Sequence, residues 1–460
     1  MADIRNDCLN MIVDVLEVHR PSHLVIADHL DAASGMSDQD RSFVKRLVMG
    51  VVERKLMLDH VIDAVSKTKT AKMKPVVRNI LRMGAYQLIY MIVPDSAACN
   101  ESVKLAKKRG LVNLSGFVNG VLRNIARQKD MLTDLSGIKD DTVRLSLYYS
   151  VPEWIVRYFC DNYGIEAAVR AFEHYLTPSK TFIRCNSSRI SPDELCGRLT
   201  ERGIDVGRTG IERCMSIIGY SSLNDIPEFR DGLFSVQDMS SVIAGEIAEI
   251  RGDERVLDIC AAPGGKSLNI ADRLTAVKRA GVQAAEKGTA GTPDPEAAEK
   301  ETAGTGASDG GQVIACDISE QKVRMIDENI VRSGFTNIRT AVSDATVFVP
   351  DFENAFDIVI ADVPCSGLGI IGRKPDIKYN MTPEGQNELV TLQRSILDNA
   401  VRYVKTGGQL LFSTCTVNRA ENEDNVGYIA AKGFECALSK QLLPGENGAD
   451  GFFYARMIRK

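Results

Sequence analysis

Nowhere in the 460 residues does an apolar run approach the roughly 18–20 residues that a membrane-spanning helix needs, which excludes a helical membrane protein. The opening Met1-Ala2-Asp3-Ile4-Arg5-Asn6-Asp7 lacks the apolar core of a secretory signal. The eleven cysteines are an odd number, scattered without a CxxC pair. Neither a disulfide framework nor a cysteine-held metal is therefore expected. Together these absences point to a cytoplasmic protein in a reducing compartment, with no membrane partner and no metal. A strong charge of one sign is also missing, since the net charge is only −5. That argues against a uniformly basic nucleic-acid binder.

What charge there is lies unevenly. Residues 1–135 carry 20 Lys+Arg against 15 Asp+Glu, a net of +5, which leaves −10 on the remainder. Clusters such as Lys67–Lys74 and Lys104–Arg109 suit RNA phosphates, and equally suit solvated helix faces. The same stretch reads as all-helical. Val44, Leu47, Val48, Val51 and Val52 recur at helical spacing, as do Ile80, Leu81, Ala85, Leu88 and Ile89. Ser37-Asp38-Gln39-Asp40 suits a helix start, and Pro75 suits a first helical position. Asp40-Arg41 ahead of Val48–Val52, then Leu81–Leu88, Asn100-Glu101-Ser102-Val103 and Val118–Arg123, form an ordered set that resembles the NusB family of helical RNA-binding domains. RNA binding by residues 1–135 is what that resemblance implies.

Residues 140–235 read as a small α+β module. A helix is expected after Val151-Pro152-Glu153-Trp154, a strand at Thr181–Asn186, and a helix at Pro192–Arg202 closed by Gly203. Its chemistry is not legible, and it is expected to link its neighbours and help hold RNA. From residue 236 to 460 the pattern becomes strand–helix alternation, the signature of a doubly wound, Rossmann-like α/β domain. The clearest strands are Val256–Cys260, Gln312–Cys316, Ile338–Val342, Asp357–Ala361 and Gln409–Phe412. One stretch, Ala280–Ser308, is dominated by Ala, Gly, Glu, Lys and Thr with no aromatic residue. It buries too little apolar surface to offset its ordering entropy and is expected to be a disordered surface insertion.

Cys260-Ala261-Ala262-Pro263-Gly264-Gly265-Lys266 runs from a strand through a glycine turn into a helix. Glycines admit a ligand close to the backbone, and a helix N-terminus offers free N–H groups. The motif is neither GxGxxG nor a Walker loop. Asp317, ending the next strand, is placed to hold ribose hydroxyls. Its distance from Gly264 is 53 residues, and removal of the 29-residue insertion leaves 24, near the usual spacing of about 20. A nucleoside cofactor without acyl, phosphoryl or hydride machinery suggests S-adenosylmethionine. Asp344 is expected on the adenine side, or else as a helix N-cap. Lys266 is expected to meet the methionine carboxylate or to cap the turn.

Two cysteines, Cys365 in Asp362-Val363-Pro364-Cys365-Ser366-Gly367 and Cys415 in Ser413-Thr414-Cys415-Thr416, follow strands and open on the same crevice. One thiol suggests a nucleophile, and two suggest a covalent adduct that is both made and released. That is the requirement of methylation at carbon 5 of a pyrimidine. Asp362 is placed to engage the edge of the base, and Arg373 and Lys374 are candidate cations beside the thiols. Cys260 and Cys316 read as inert, with Cys260 lining the cofactor turn. Cys260–Lys266, Asp362–Gly367, Arg373–Ile377 and Ser413–Thr416, followed by Glu421-Asn422-Glu423, resemble the Nop/Sun family of RNA cytosine-C5 methyltransferases. The resemblance implies that Cys415 attacks the base, that Cys365 assists release, and that S-adenosylmethionine is the cofactor. The local residues permit either order of the two thiols.

A NusB-like domain, a linker module and then this catalytic domain resemble the Sun/Fmu type of bacterial small-subunit (16S) ribosomal RNA methyltransferase. Ribosomal RNA is then the expected partner, and a monomer the expected state. Two other readings remain open: the same chemistry on transfer RNA, and a non-catalytic RNA-binding or antitermination factor on an old methyltransferase fold. Intact thiol motifs and an intact glycine turn count against the second.

Overall fold

The computed structural model describes residues 4–32, 35–178, 180–288 and 311–460. The chain divides into two compact units, residues 1–178 with 370–382, and residues 179–369 with 383–460. Among the described residues, no helix is long and apolar enough to cross a membrane.

The first unit is helical. Its core gathers the two stripes seen in the sequence: Val44, Leu47, Val48 and Val51 on helix Asp38–Glu53, and Ile80, Leu81, Ala85 and Leu88 on helix Pro75–Tyr90. The first helix is capped by Ser37, whose Oγ accepts from the Asp40 N–H at 3.2 Å. The second begins at Pro75, which needs no N–H partner there. Gly50 is required because a Cβ would lie 2.0 Å from the Tyr86 ring.

Residues 370–382 leave the catalytic domain's sequence and fold with this unit. Lys378 Nζ donates to the Glu53 carbonyl at 2.8 Å, Tyr379 OH to the Ser150 carbonyl at 3.1 Å, and Ser22 Oγ to Asp376. Burial pushes the Lys378 amine down to about 7 and the Glu53 carboxyl up. Arg373 and Lys374, expected beside the reactive thiols, belong to this segment.

The second unit holds two sheets. A four-stranded antiparallel sheet has the order β2-β3-β1-β4, from β1 (Thr181–Cys185), β2 (Asp205–Arg208), β3 (Cys214–Ile218) and β4 (Phe234–Val236). Helix Pro192–Glu201 packs on it and closes at Gly203, whose φ of +80° suits glycine. The larger sheet is built from β5 (Arg255–Asp258), β6 (Gln312–Asp317), β7 (Ile338–Val342), β8 (Phe356–Asp362), β9 (Val404–Thr414), β10 (Phe434–Leu442) and β11 (Phe452–Arg459). Its order is β10-β11-β9-β8-β5-β6-β7, with the run from β9 to β7 parallel and β11 antiparallel to both neighbours. Apolar layers cover both faces of the sheet.

The chain grows outward through β6 and β7, then returns to place β8 on the other side of β5. The order therefore reverses at β5 and β8, and a ligand crevice opens beyond their carboxyl ends. The helix after β5 continues from Gly265 to Gly288. Residues 280–288, expected to be disordered, are thus helical, because Ala, Glu, Lys and Gln are strong helix formers. The rest of the expected insertion, to 308, lies outside the described residues.

Candidate active site

The turn leaving β5 is pinned at both ends. Ala261 N–H donates to the Cys316 carbonyl at 2.9 Å, and Gly264 N–H to the Ala261 carbonyl at 2.6 Å. The Ala262–Pro263 peptide is cis. Gly264 sits at φ +100°, where a Cβ would also crowd Ile326 at 3.2 Å, so only glycine fits. Gly265 then opens the helix whose free N–H groups face the crevice end of the sheet. Asp317, at the end of β6, is buried. Its Oδ2 accepts from Ala262 N–H at 2.9 Å, and its Oδ1 accepts from Ile318 N–H and pairs with Lys322 at 3.0 Å.

Asp344 is exposed on the turn after β7, where its Oδ1 accepts from the Thr346 N–H and hydroxyl. These bonds hold its carboxyl below the ordinary value. It closes a turn rather than capping a helix. Ser343 N–H donates to the Asp317 carbonyl at 2.9 Å, so Asp344 and Asp317 stand on adjoining segments.

Sequence patterns missed Asp258, at the end of β5. It is fully buried, its Oδ2 accepts from Ser267 Oγ at 2.7 Å, and its Oδ1 has no donor among the protein's own groups. Burial raises its carboxyl to about 7, against lowering by Ser267 and Lys266. An orphaned buried carboxyl oxygen beside a glycine turn fits a ligand that brings its own donor. Since the unfolded carboxyl titrates near 4, this group favours the fold fully below that value. Its contribution falls away as pH rises toward 7. Asp258→Asn should therefore flatten the difference in urea midpoint between pH 5 and pH 8. An unchanged difference would assign that slope to another group.

The ends of β8 and β9 are in parallel register, with Asp362 beside Ser413. Asp362 Oδ1 accepts from Ser413 Oγ at 2.7 Å, and its Oδ2 from Lys266 Nζ at 2.6 Å. Lys266 is nearly buried and thereby joins the glycine turn to the strand that leads to Cys365. The Ser413 contact is legible only from the register.

Beyond these strand ends the two cysteines meet. Their sulfurs are 3.2 Å apart, and Cys415 N–H donates to Cys365 Sγ at 3.2 Å. Gly369 N–H donates to the Cys415 carbonyl at 3.0 Å, binding one loop to the other. Contact with Cys415, burial and the carboxylate of Glu421 all push the Cys365 thiol well up. Arg373 and Lys374 fold with the helical unit. Cys260 is likewise pushed up by burial and by Asp258, Asp317 and Asp362, and Cys316 is raised to about 12 by burial and the same strand-end acids Asp258 and Asp317. Both stay protonated thiols, as inert cysteines do. Among the described residues no group of three or more His, Cys, Asp or Glu forms a metal cluster.

Known proteins align with both units. The NusB family profile matches residues 3–127, and that of the 16S rRNA methyltransferases RsmB/F matches residues 305–458. A probable ribosomal RNA small subunit methyltransferase B of Bacillus subtilis is 32% identical, over 99% of each chain. The solved structure of PH0851 has a TM-score of 0.77 at 20% identity, covering 99% of both chains. NSun6 from Pyrococcus horikoshii, solved with the S-adenosylmethionine analogue SFG, has a TM-score of 0.55 at 19% identity, over 67% of this chain and 98% of its own. Identity at that level along essentially the whole length settles the family: this chain belongs to the ribosomal RNA small subunit methyltransferases B, S-adenosylmethionine-dependent enzymes of the RsmB/F group.

Proposed function

We propose that the protein methylates carbon 5 of a cytosine in small-subunit ribosomal RNA through a covalent adduct between Cys415 and carbon 6 of the base. The observation that carries this reading is the contact of the Cys365 and Cys415 sulfurs, 3.2 Å apart just past the ends of adjacent strands. Carbon 5 of cytosine is a poor nucleophile. Addition of the Cys415 sulfur at carbon 6 makes it enamine-like. S-adenosylmethionine, when bound, supplies an electrophilic sulfonium methyl group. A base must then take the carbon-5 proton, its electron pair re-forming the carbon 5–carbon 6 double bond as the carbon 6–sulfur bond breaks and returns the Cys415 thiolate.

Cys365, whose sulfur touches that of Cys415, serves the release step. The attacking role is given to Cys415 on the Nop/Sun resemblance, since the local residues permit either order. Asp362, fixed by Lys266 and Ser413, holds the edge of the base. Cys260, Ala261, Ala262, Pro263, Gly264, Gly265 and Lys266 hold the cofactor along the turn, with Asp317, Asp344 and Asp362 as its polar partners. The unpaired oxygen of Asp258 supports a ligand there that carries a donor. Residues 1–135 and 140–235 bind and present the RNA, and the protein works as a cytoplasmic monomer.

The test is transfer of a labelled methyl group from S-adenosylmethionine to small-subunit RNA, followed by bisulfite mapping of ribosomal and transfer RNA from a deletion strain. A cytosine in small-subunit RNA that loses its protection in the deletion strain is the expected result. Loss confined to transfer RNA would overturn the substrate, and no transfer to any RNA would overturn the reaction.

A further inference from the structure

Glu421 lies in the short turn Arg419–Glu421 after the Cys415 loop and is completely buried. Its side chain accepts four hydrogen bonds, all from neutral donors. Ser366 gives both its N–H, at 2.8 Å, and its hydroxyl. Gln393 Nε2 gives another at 2.9 Å, and Asn418 Nδ2 the last at 3.0 Å. These donors come from three places in the chain. Ser366 directly follows Cys365. Thr416 directly follows Cys415, and its hydroxyl meets that of Ser366 at 2.7 Å. Gln393, on helix Pro383–Tyr403, also donates to the Pro364 carbonyl, on the other side of Cys365, at 2.9 Å. Asn425 completes the set by donating to Gln393 Oε1 at 2.8 Å.

Burying a carboxylate is expensive unless its lone pairs are filled, and a fully satisfied polar network is correspondingly rigid. Packing alone would be served by an apolar side chain in this space. A carboxylate accepts at every lone pair, so it can gather donors from both cysteine loops at once.

We propose that Glu421 is a positioning residue for methyl transfer, its buried carboxylate clamping the loop after Cys365 to the loop after Cys415 so that the two sulfurs stay in contact. This rests on the roles proposed above for the two thiols. Among the titratable groups facing Cys365, Cys415 and then Glu421 raise its thiol, so removing the Glu421 charge should be felt there.

The test is Glu421→Gln in the full-length protein. A carboxamide offers two donors of its own and cannot accept all four bonds. Alkylation of Cys365 and Cys415 by iodoacetamide is followed by peptide mass spectrometry across pH, with no RNA present. Single-turnover methyl transfer and S-adenosylmethionine affinity are measured alongside. The expected result is a Cys365 alkylation profile moved to lower pH, methyl transfer slowed about 100-fold by misplaced groups, and unchanged cofactor affinity. A wild-type Cys365 profile with undiminished transfer would overturn the proposal.

Glu421→Asp, which keeps the charge but withdraws it by one methylene, covers the case in which the amide does not fold. It should slow transfer while leaving the Cys365 profile near wild type. Loss of cofactor binding together with transfer in both variants would overturn the proposal in favour of a purely structural role. Because alkylation needs no RNA, it tests the clamp even if the wild-type protein transfers no methyl group, an outcome that would sink the functional reading instead.

Discussion

Replacing Asp272 with asparagine is expected to destabilise the second unit by about 3–5 kcal/mol, the usual loss when one partner of a buried ion pair is removed. Asp272 sits on helix Gly265–Gly288 with a side chain that is 0% exposed, against 1% for Arg184 on β1. Its Oδ2 meets Arg184 at 3.1 Å and Arg213 at 2.8 Å, and its two oxygens also accept from the Ser187 and Ser188 N–H groups. One carboxylate therefore ties the four-stranded module to the helix that starts at the cofactor turn. Burial drags the Arg184 guanidinium down to about 10 even with Asp272 beside it. Without that charge the buried Arg184 loses its ion-pair partner, while Arg213 keeps Glu246. Urea denaturation followed by circular dichroism measures the loss. A change below about 1 kcal/mol, typical of exposed pairs, would mean that water reaches and replaces the carboxylate.

Asp272 was not legible in the sequence, and the reason is instructive. The strands that position the site are apolar runs such as Val256-Leu257 and Ile358-Val359-Ile360, and these announce themselves locally because parallel strands are covered on both faces. The glycine turn was legible for a similar reason: Gly264 is demanded by its own backbone angle. Asp272 and Glu421, by contrast, owe their roles to partners 88 and 55 residues away. No local pattern separates Asp272 from a solvated acid, and the Glu421-Asn422-Glu423 motif does not by itself say what Glu421 binds.

Arg373 and Lys374 illustrate the converse. Their place in the sequence, just after Cys365, suggested cations near a thiol. Yet Lys378 and Tyr379 bury themselves in the helical unit and carry the segment with them. A loop of this length can follow whichever core accepts its large side chains. The helical start of the insertion shows the limit of composition alone. Ala-Glu-Lys sequences are poor at forming a core but good at extending a helix that already has one.

The two thiols carry the largest effect expected on activity. Cys415→Ala should lower methyl transfer by about four orders of magnitude or more, as removal of a catalytic nucleophile generally does. Cys365→Ala should behave differently. On the proposed mechanism, attack on carbon 6 needs only the Cys415 sulfur, whereas escape from the adduct needs a base that takes the carbon-5 proton and a proton donor for the departing Cys415 sulfur. Cys365, 3.2 Å from the Cys415 sulfur, is placed to hand a proton to that sulfur as it departs. Its loss should trap RNA on the protein as a species that survives denaturing electrophoresis and disappears on nuclease digestion. Cofactor affinity should be unchanged in both variants, since neither sulfur is bonded to the Cys260–Lys266 turn. An adduct trapped by Cys415→Ala, with none from Cys365→Ala, would reverse the two roles. Contact between the two sulfurs permits either order, so it is the Nop/Sun resemblance that argues for attack by Cys415, and the trapped variant decides between them.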